Sequence, residues 1–169
     1  MTNKLSVLVV GANGMVGSSV VNKLKKSDKV ENLITSTRKD TNLFSFEQTK
    51  KLIEKTKPNV LIIAAAKVGG ILYNNTNRTE FILENLKINM NLLESCLNYP
   101  EIKIINLGSS CIYPLEASNP ITEEEFMNGK LEPTNSPYAM AKLTAIEIGR
   151  ALNQEHGHQV INLMPTNLY

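Results

Sequence analysis

The chain has 169 residues, about one domain's worth and enough to bury a core without disulfide staples. Hydrophobic residues at 42% and charged residues at 20% exclude a disordered chain. Eighteen basic against sixteen acidic residues leave a net charge of +2 with no basic stripe, so no nucleic acid and no membrane surface is expected as a partner. Two cysteines, Cys96 and Cys111, are too few for a disulfide framework or a thiolate site, and no metal is expected. The longest apolar runs, residues 7–10 and 60–66, fall far short of the roughly 20 residues a spanning helix needs. The first apolar run leads into a glycine-rich turn rather than a cleavage site, which argues against a signal peptide. A reduced, cytoplasmic protein is expected, read as one domain over residues 1–169.

The elements alternate. Leu5–Val10 is a compact aliphatic run of the kind that is buried on both faces of a sheet. Residues 15–26 carry a helical stripe of Val16, Val20, Val21 and Leu24. Residues 33–37 predict a second strand, Phe46–Thr56 a helix stopped before Pro58, and residues 60–66 a third strand. Asn77 and Glu80 resemble a capping pair opening one long helix over residues 77–98. Residues 102–107 predict a fourth strand, followed by an irregular stretch to Asn135. Ser136 then offers an N-cap oxygen with Pro137 at the first helical position, and Gly157 is placed to end that helix. Val160–Leu163 is a last strand. This rhythm predicts an α/β, doubly wound parallel sheet with helices on both faces.

Gly11, Ala12, Asn13, Gly14, Met15, Val16 and Gly17 lie between the first strand and first helix, where a dinucleotide site belongs. Gly11 permits the tight turn, Gly14 lets a pyrophosphate approach, and Gly17 allows close helix packing. The spacing is GxxGxxG rather than GxGxxG. After the second strand stand Arg38 and Lys39, with Asp40 further on. A guanidinium suits a 2′-phosphate, whereas an acid at the strand end would bond a free ribose hydroxyl. NADP(H) is therefore expected over NAD.

Tyr138 and Lys142 are four residues apart on the last helix, one turn of about 6 Å on the same face. An ammonium beside a phenol favours phenolate, so the pair predicts a Tyr138 pKa drawn below its usual value of about 10. Ser109, Ser110 and Cys111 follow the fourth strand, at the edge where open α/β sheets bind ligands. Together these groups predict acid–base chemistry coupled to hydride transfer at a carbonyl or alcohol carbon. Cys96 falls within a helix and reads as core. His156 and His158 flank a helix end and read as solvent-exposed.

The combination resembles the extended short-chain dehydrogenase/reductase family. The stretches that carry the likeness are AAAKVGGI at residues 64–71, LGSSCIYP at 107–114, LEPTNSPYA at 131–139 and MPTNLY at 164–169, together with the glycine turn. They run in order along the whole chain, and the second points to the branch that epimerises and reduces GDP-4-keto-6-deoxy-D-mannose. The resemblance implies a Rossmann-like NADP-binding domain with Ser109, Tyr138 and Lys142 as the catalytic trio and Cys111 as the base of epimerisation. It also implies cofactor contacts along residues 11–17, from Arg38, Asn42 and Leu43, and from Ala64. Further contacts would come from Leu107, Gly108, Ser109 and Ser110, from Lys142, and from Pro165, Thr166, Asn167 and Leu168. Asn13 stands where some relatives carry a longer basic residue.

Family members continue past residue 169 into a substrate-binding region that also carries a histidine acting as the epimerisation acid. The resemblance therefore predicts an N-terminal portion, truncated before that region, that binds NADP weakly and does not complete the epimerisation. It also implies a nucleotide-sugar substrate and a homodimer paired through the helices at residues 77–98 and 136–156. Two other functions remain open at this level: a nucleotide-sugar 4-epimerase or 4,6-dehydratase, and a non-catalytic dinucleotide-binding module. A dehydratase would want an acid beside the strand-end serine, where Cys111 stands instead; Glu123, Glu124 and Glu125 lie further along.

Overall fold

The computed structural model describes residues 4–168. Five strands, β1 (Leu5–Val10), β2 (Val30–Ser36), β3 (Val60–Ile63), β4 (Lys103–Leu107) and β5 (Val160–Leu163), form one parallel sheet in the order β2-β1-β3-β4-β5. Growth of the sheet reverses between β1 and β3, and a crevice opens at their carboxyl ends, as parallel open sheets require. Val7 pairs with Leu33 and Val60, and Val10 with Ser36 and Ile63, so the three strands end level at that crevice.

The aliphatic strands are buried on both faces because helices cover both. Val7 and Val9 of β1 point toward α1 (Met15–Leu24), whose Val21 packs with them and with Ile62. Leu8 and Val10 point the other way, into a larger core with Ile53 of α2 (Phe46–Thr56). Ile88, Leu92 and Leu93 of α4 (Arg78–Ser95) and Ala145 and Leu152 of α5 (Ser136–His156) complete it. The doubly wound α/β expectation is met, with α1 on one face and α2, α4 and α5 on the other.

Several boundaries differ from the sequence reading. β3 stops at Ile63, not residue 66, because β1 turns away at Gly11; the Ala64 amide makes a last bond to the Val10 carbonyl at 3.0 Å. β2 begins earlier, at Val30, as an edge strand whose Glu31 and Asn32 face solvent and break the apolar pattern. The single long helix is instead a short α3 (Ile71–Thr76) followed by α4, which ends at Ser95. Asn77 does not cap: its Nδ2 donates to the Tyr73 carbonyl at 3.1 Å, and Glu80 pairs with Lys67 instead. The N-cap of α5 is Asn135, with Ser136 already helical and its hydroxyl bonded by Arg78 at 3.1 Å.

His158 is also not exposed. Gly157 ends α5 in the left-handed conformation (φ 72°), its amide donating to Asn153 and that of His158 to Leu152. This turn drives His158 inward to full burial, with Nε2 3.2 Å from the Leu97 carbonyl. Cys96 is buried as expected, and its thiol is pushed up to about 12 by burial. Among the described residues, no helix is long and apolar enough to cross a membrane. The outer strand β5 leaves Ile161 and Leu163 about half exposed on one face.

Among the glycines the closest approach is between α1 and the turn before it: a Cβ on Gly17 would lie 2.1 Å from the Gly11 carbonyl oxygen. Gly17→Ala is expected to push α1 off the sheet at a cost of roughly 1–3 kcal/mol, read in thermal unfolding as a drop of about 2–4 °C per kcal/mol.

Candidate active site

At the crevice, Gly11 takes φ 77°, and its amide and that of Ala12 both donate to the Ser36 carbonyl, at 2.9 and 3.2 Å. The turn is thus closed by β2 on one side and by Ala65 on the other, where a Gly11 Cβ would meet backbone at 2.6 Å. Gly14 is different. A Cβ there would meet one atom within 4 Å, the Gly11 oxygen at 3.3 Å, and Gly14 borders two cavities. It is the N-cap of α1, with no side-chain cap and no acid in the first turn. First-turn N–H groups lack intrahelical acceptors, so this helix end presents donors and partial positive charge to an anion.

The two cavities meet along Gly14, Ala64, Ala65 and Ala66. The first, about 480 Å³, runs between Gly11, Asn13 and the segment after β2, where Arg38, Asn42 and Leu43 line it. Asp40 does not line it: its carboxylate accepts from the Thr37 amide at 2.8 Å and hydroxyl at 2.7 Å, and these bonds hold its pKa below the usual range. Arg38 is largely exposed, with Nη2 3.9 Å from Glu84. The second cavity, about 560 Å³, is bordered by Met15, Val16, Leu107, Gly108, Ser109, Tyr138 and Lys142, and by residues 165–168. Ala12 and Gly17 line neither and serve packing. A long, two-ended ligand with an anion at its centre fits this pair of cavities, so the residues present suit a dinucleotide phosphorylated on the ribose near Arg38.

A third cavity, about 430 Å³, adjoins the second through Ser109, Tyr138, Thr166 and Asn167, and adds Ser110 and Cys111. Ser109 caps a 3₁₀ turn over Ser110–Ile112, its Oγ accepting from the Cys111 amide at 3.4 Å. Tyr138 projects from the first turn of α5 and meets Phe81 edge-to-face at 6.3 Å. The start of α5 is held by Arg78, which donates to the Pro133 carbonyl at 2.8 Å, and by Glu132, which accepts from the amides of Thr134 and Asn135. Lys142, almost fully buried, donates to the Leu107 carbonyl at 2.6 Å and stands 5.8 Å from the Tyr138 ring centre. The structure therefore brings the serine, thiol, phenol and ammonium to one end of β4.

Their protonation differs from the expectation. Tyr138 is not drawn down: burial pushes its phenol up to about 12, and the thiol of Cys111 adds to the rise. Lys142 is itself lowered to about 8 by burial. Burial also raises Cys111, partly offset by its bond with Ser109. Desolvation outweighs the neighbouring charge, a balance that spacing along a helix does not reveal. The sequence reading also missed Thr37, Thr41, Phe44, Val68 and Gly69 as cavity walls. The last two lie within the AAAKVGGI stretch and were within its reach; the others carry no motif.

A model of the NAD dependent epimerase/dehydratase family matches residues 7–169, and the chain belongs to that family. It is 42% identical over 163 residues to the GDP-L-fucose synthase of Sinorhizobium fredii, covering 96% of this chain and 51% of that protein. It is 39% identical over 167 residues to the GDP-L-fucose synthase of Escherichia coli, covering 99% of this chain and 52% of that one. A GDP-L-fucose synthetase structure from Naegleria fowleri, bound to NADP, superposes with a TM-score of 0.87 at 30% identity, over 100% of this chain and 52% of that chain. The chain spans about half the length of the curated relatives it matches. Tyr169, the last residue of the final family-like stretch, lies outside the described residues.

Lys142 yields a signed pH dependence. With a folded value of about 8 against an ordinary 10.5, the unfolded chain binds more protons between those limits, so this residue makes stability rise with pH across that window. Relative to Lys142→Met, the native chain is expected to gain on the order of 2 kcal/mol between about pH 7.5 and about pH 10 in urea unfolding. A pH-independent difference would contradict the buried ammonium.

Proposed function

We propose that this chain is the cofactor-binding part of an enzyme that converts GDP-4-keto-6-deoxy-D-mannose to GDP-L-fucose, by epimerisation at C3 and C5 and reduction at C4. The observation that carries the reading is the convergence of Ser109, Cys111, Tyr138 and Lys142 on two adjoining cavities beside the glycine turn. Bound NADPH supplies the hydride for the C4 carbonyl. Tyr138, kept protonated by burial, gives its phenolic proton to the C4 oxygen, and Ser109 Oγ–H orients that oxygen. Lys142 places positive charge behind the phenol, so the phenolate left after transfer is stabilised. Its position in the second cavity also suits it to ribose hydroxyls.

Cys111 faces the sugar side and is assigned the base. The C4 ketone acidifies C3–H and C5–H. The thiol must first lose its own proton, which the Ser109 bond and the Lys142 charge favour against the rise from burial. The thiolate then takes the carbon-bound proton, with return of a proton to the opposite face inverting the carbon. Neither histidine is suited to be that second donor, because neither lines the cavity and His158 is sealed in the core. Arg38 favours NADPH over NADH, since the local carboxylate, Asp40, is tied to Thr37. Exposed Leu83 and Met90 on α4 and Met140 on α5 support pairing with a second copy through this helix face. Free thiols at Cys96 and Cys111 accord with a cytoplasmic setting.

In the whole gene product, Tyr138→Phe is expected to lower turnover by about 10²–10⁴-fold while NADPH binding, read by fluorescence, stays intact. Unchanged turnover would leave only a binding module. Cys111→Ser is expected to abolish deuterium uptake at C3 and C5 in heavy water while reduction at C4 persists. Arg38→Ala should weaken NADPH roughly tenfold or more and leave NADH affinity alone.

A further inference from the structure

Arg38 is the one charged residue among the walls of the first cavity, and it already faces a charge of the chain's own. Glu84 lies on α4, one turn before Ile88, which lines the same cavity. Its Oε2 stands 3.9 Å from Arg38 Nη2, linking the loop after β2 to α4. That oxygen is shielded from water and accepts no hydrogen bond among the described residues. A carboxylate oxygen so placed needs a positive neighbour. Lys67 also feels the Glu84 charge, but its Nζ is bonded to Glu80. That leaves Arg38.

At 3.9 Å the two groups are beyond hydrogen-bond reach, and 74% of the Arg38 side chain is open to solvent against 24% for Glu84. The pair is thus electrostatic and loose: it draws the guanidinium toward α4 without fixing its fork. A phosphate on the cofactor ribose would bring about two negative charges and oxygens that pair with an arginine bidentately. One guanidinium cannot serve both fully. Turning its fork to the phosphate deprives Glu84 of its counter-charge and sets that carboxylate near a second anion. Both effects oppose the phosphate, whereas a ribose with a free 2′-hydroxyl makes no such demand.

We propose that Glu84 is a specificity-setting residue that holds Arg38 and competes with the 2′-phosphate for it. The chain's own carboxylate thereby limits how tightly NADPH binds and leaves NADH untouched. The inference rests on the reading of Arg38 as the partner of that phosphate. What weakens NADPH also eases the departure of NADP+ after hydride transfer, so the phosphorylated cofactor stays exchangeable.

Cofactor affinity is measured by fluorescence titration of the whole gene product at low ionic strength, for the native protein, Glu84→Gln, Arg38→Ala and the double variant. Glu84→Gln keeps the shape and removes the charge. It is expected to tighten NADPH about fivefold while NADH moves less than about twofold. In the Arg38→Ala background the same change is expected to gain less than about twofold. The gain in the native background shrinks when salt is raised to about 0.5 M. A residue that merely supports α4 would shift both cofactors together. Weaker or unchanged NADPH binding in Glu84→Gln, equal tightening of NADH, or a gain that survives the loss of Arg38 would overturn the proposal. Should the glutamine variant fail to fold, Glu84→Ala carries the same expectation and decides. Arg38→Ala alone tests the reading beneath: if it leaves NADPH affinity unchanged, Arg38 does not meet the phosphate, and the cofactor assignment falls with the role of Glu84.

Discussion

The carbonyl oxygen of Gly11 and the α-carbon of Gly17 approach so closely that no side chain fits between them, and Gly11 in turn lies against the backbone at Ala65. Three segments are thereby locked at one point: the end of β1, the first turn of α1 and the chain leaving β3. Everything that makes the crevice a site follows from this contact. It aims the start of α1 at the cleft and leaves Gly14 open beside it. It also makes β3 end early, so that Ala64, Ala65 and Ala66 leave the sheet to line both neighbouring cavities. Small residues act here by absence, since the dinucleotide would take the room their side chains do not.

The second half of the site works by the opposite means, through polar groups held where water is scarce. Lys142 sits in the core with its ammonium on the Leu107 carbonyl, which ties α5 to the last residue of β4. That tie sets the height of Tyr138 above Ser109, while Arg78 and Glu132 fix the loop from which α5 departs. Burial keeps the phenol protonated and weakens the proton hold of the ammonium. A phenol shielded from water keeps its proton until a receiving oxygen reaches it within the cavity.

Much of this was readable in the chain itself. β1 and β5 fall where the aliphatic runs place them, because each is short, apolar and sharply bounded, and α2 falls where Phe46, Leu52, Ile53 and the stop before Pro58 place it. The glycine turn, Ser109, Tyr138 and Lys142 stand together on one cavity as expected from a turn, a strand end and one helix face taken in combination, since the four-residue spacing by itself says little. α3 was not, since Ile71 and Leu72 are strongly exposed and the segment is held by polar bonds of its own, from Asn74 to the Gly69 and Gly70 carbonyls and from Tyr73 to Glu80. His158 was misplaced because a polar residue carries no burial signal; Gly157 turns it inward. The direction of the Tyr138 shift depends on how much water surrounds it, which no one-dimensional pattern contains. Nor does a motif mark the carboxamide oxygens of Asn74 and Asn135, whose lack of partners exists only in three dimensions.

The two rims of the sheet are unlike. β2 borders solvent with Glu31 and Asn32 outward, polar groups that discourage another chain from adding to it. β5 presents the reverse, an unpaired backbone with Ile161 and Leu163 standing half bare beside it. Such a margin is a ready template for a further strand, whether supplied in cis or by a neighbour in the tube. A charged side chain at Ile161 would blunt that margin in the way Glu31 and Asn32 blunt the opposite one.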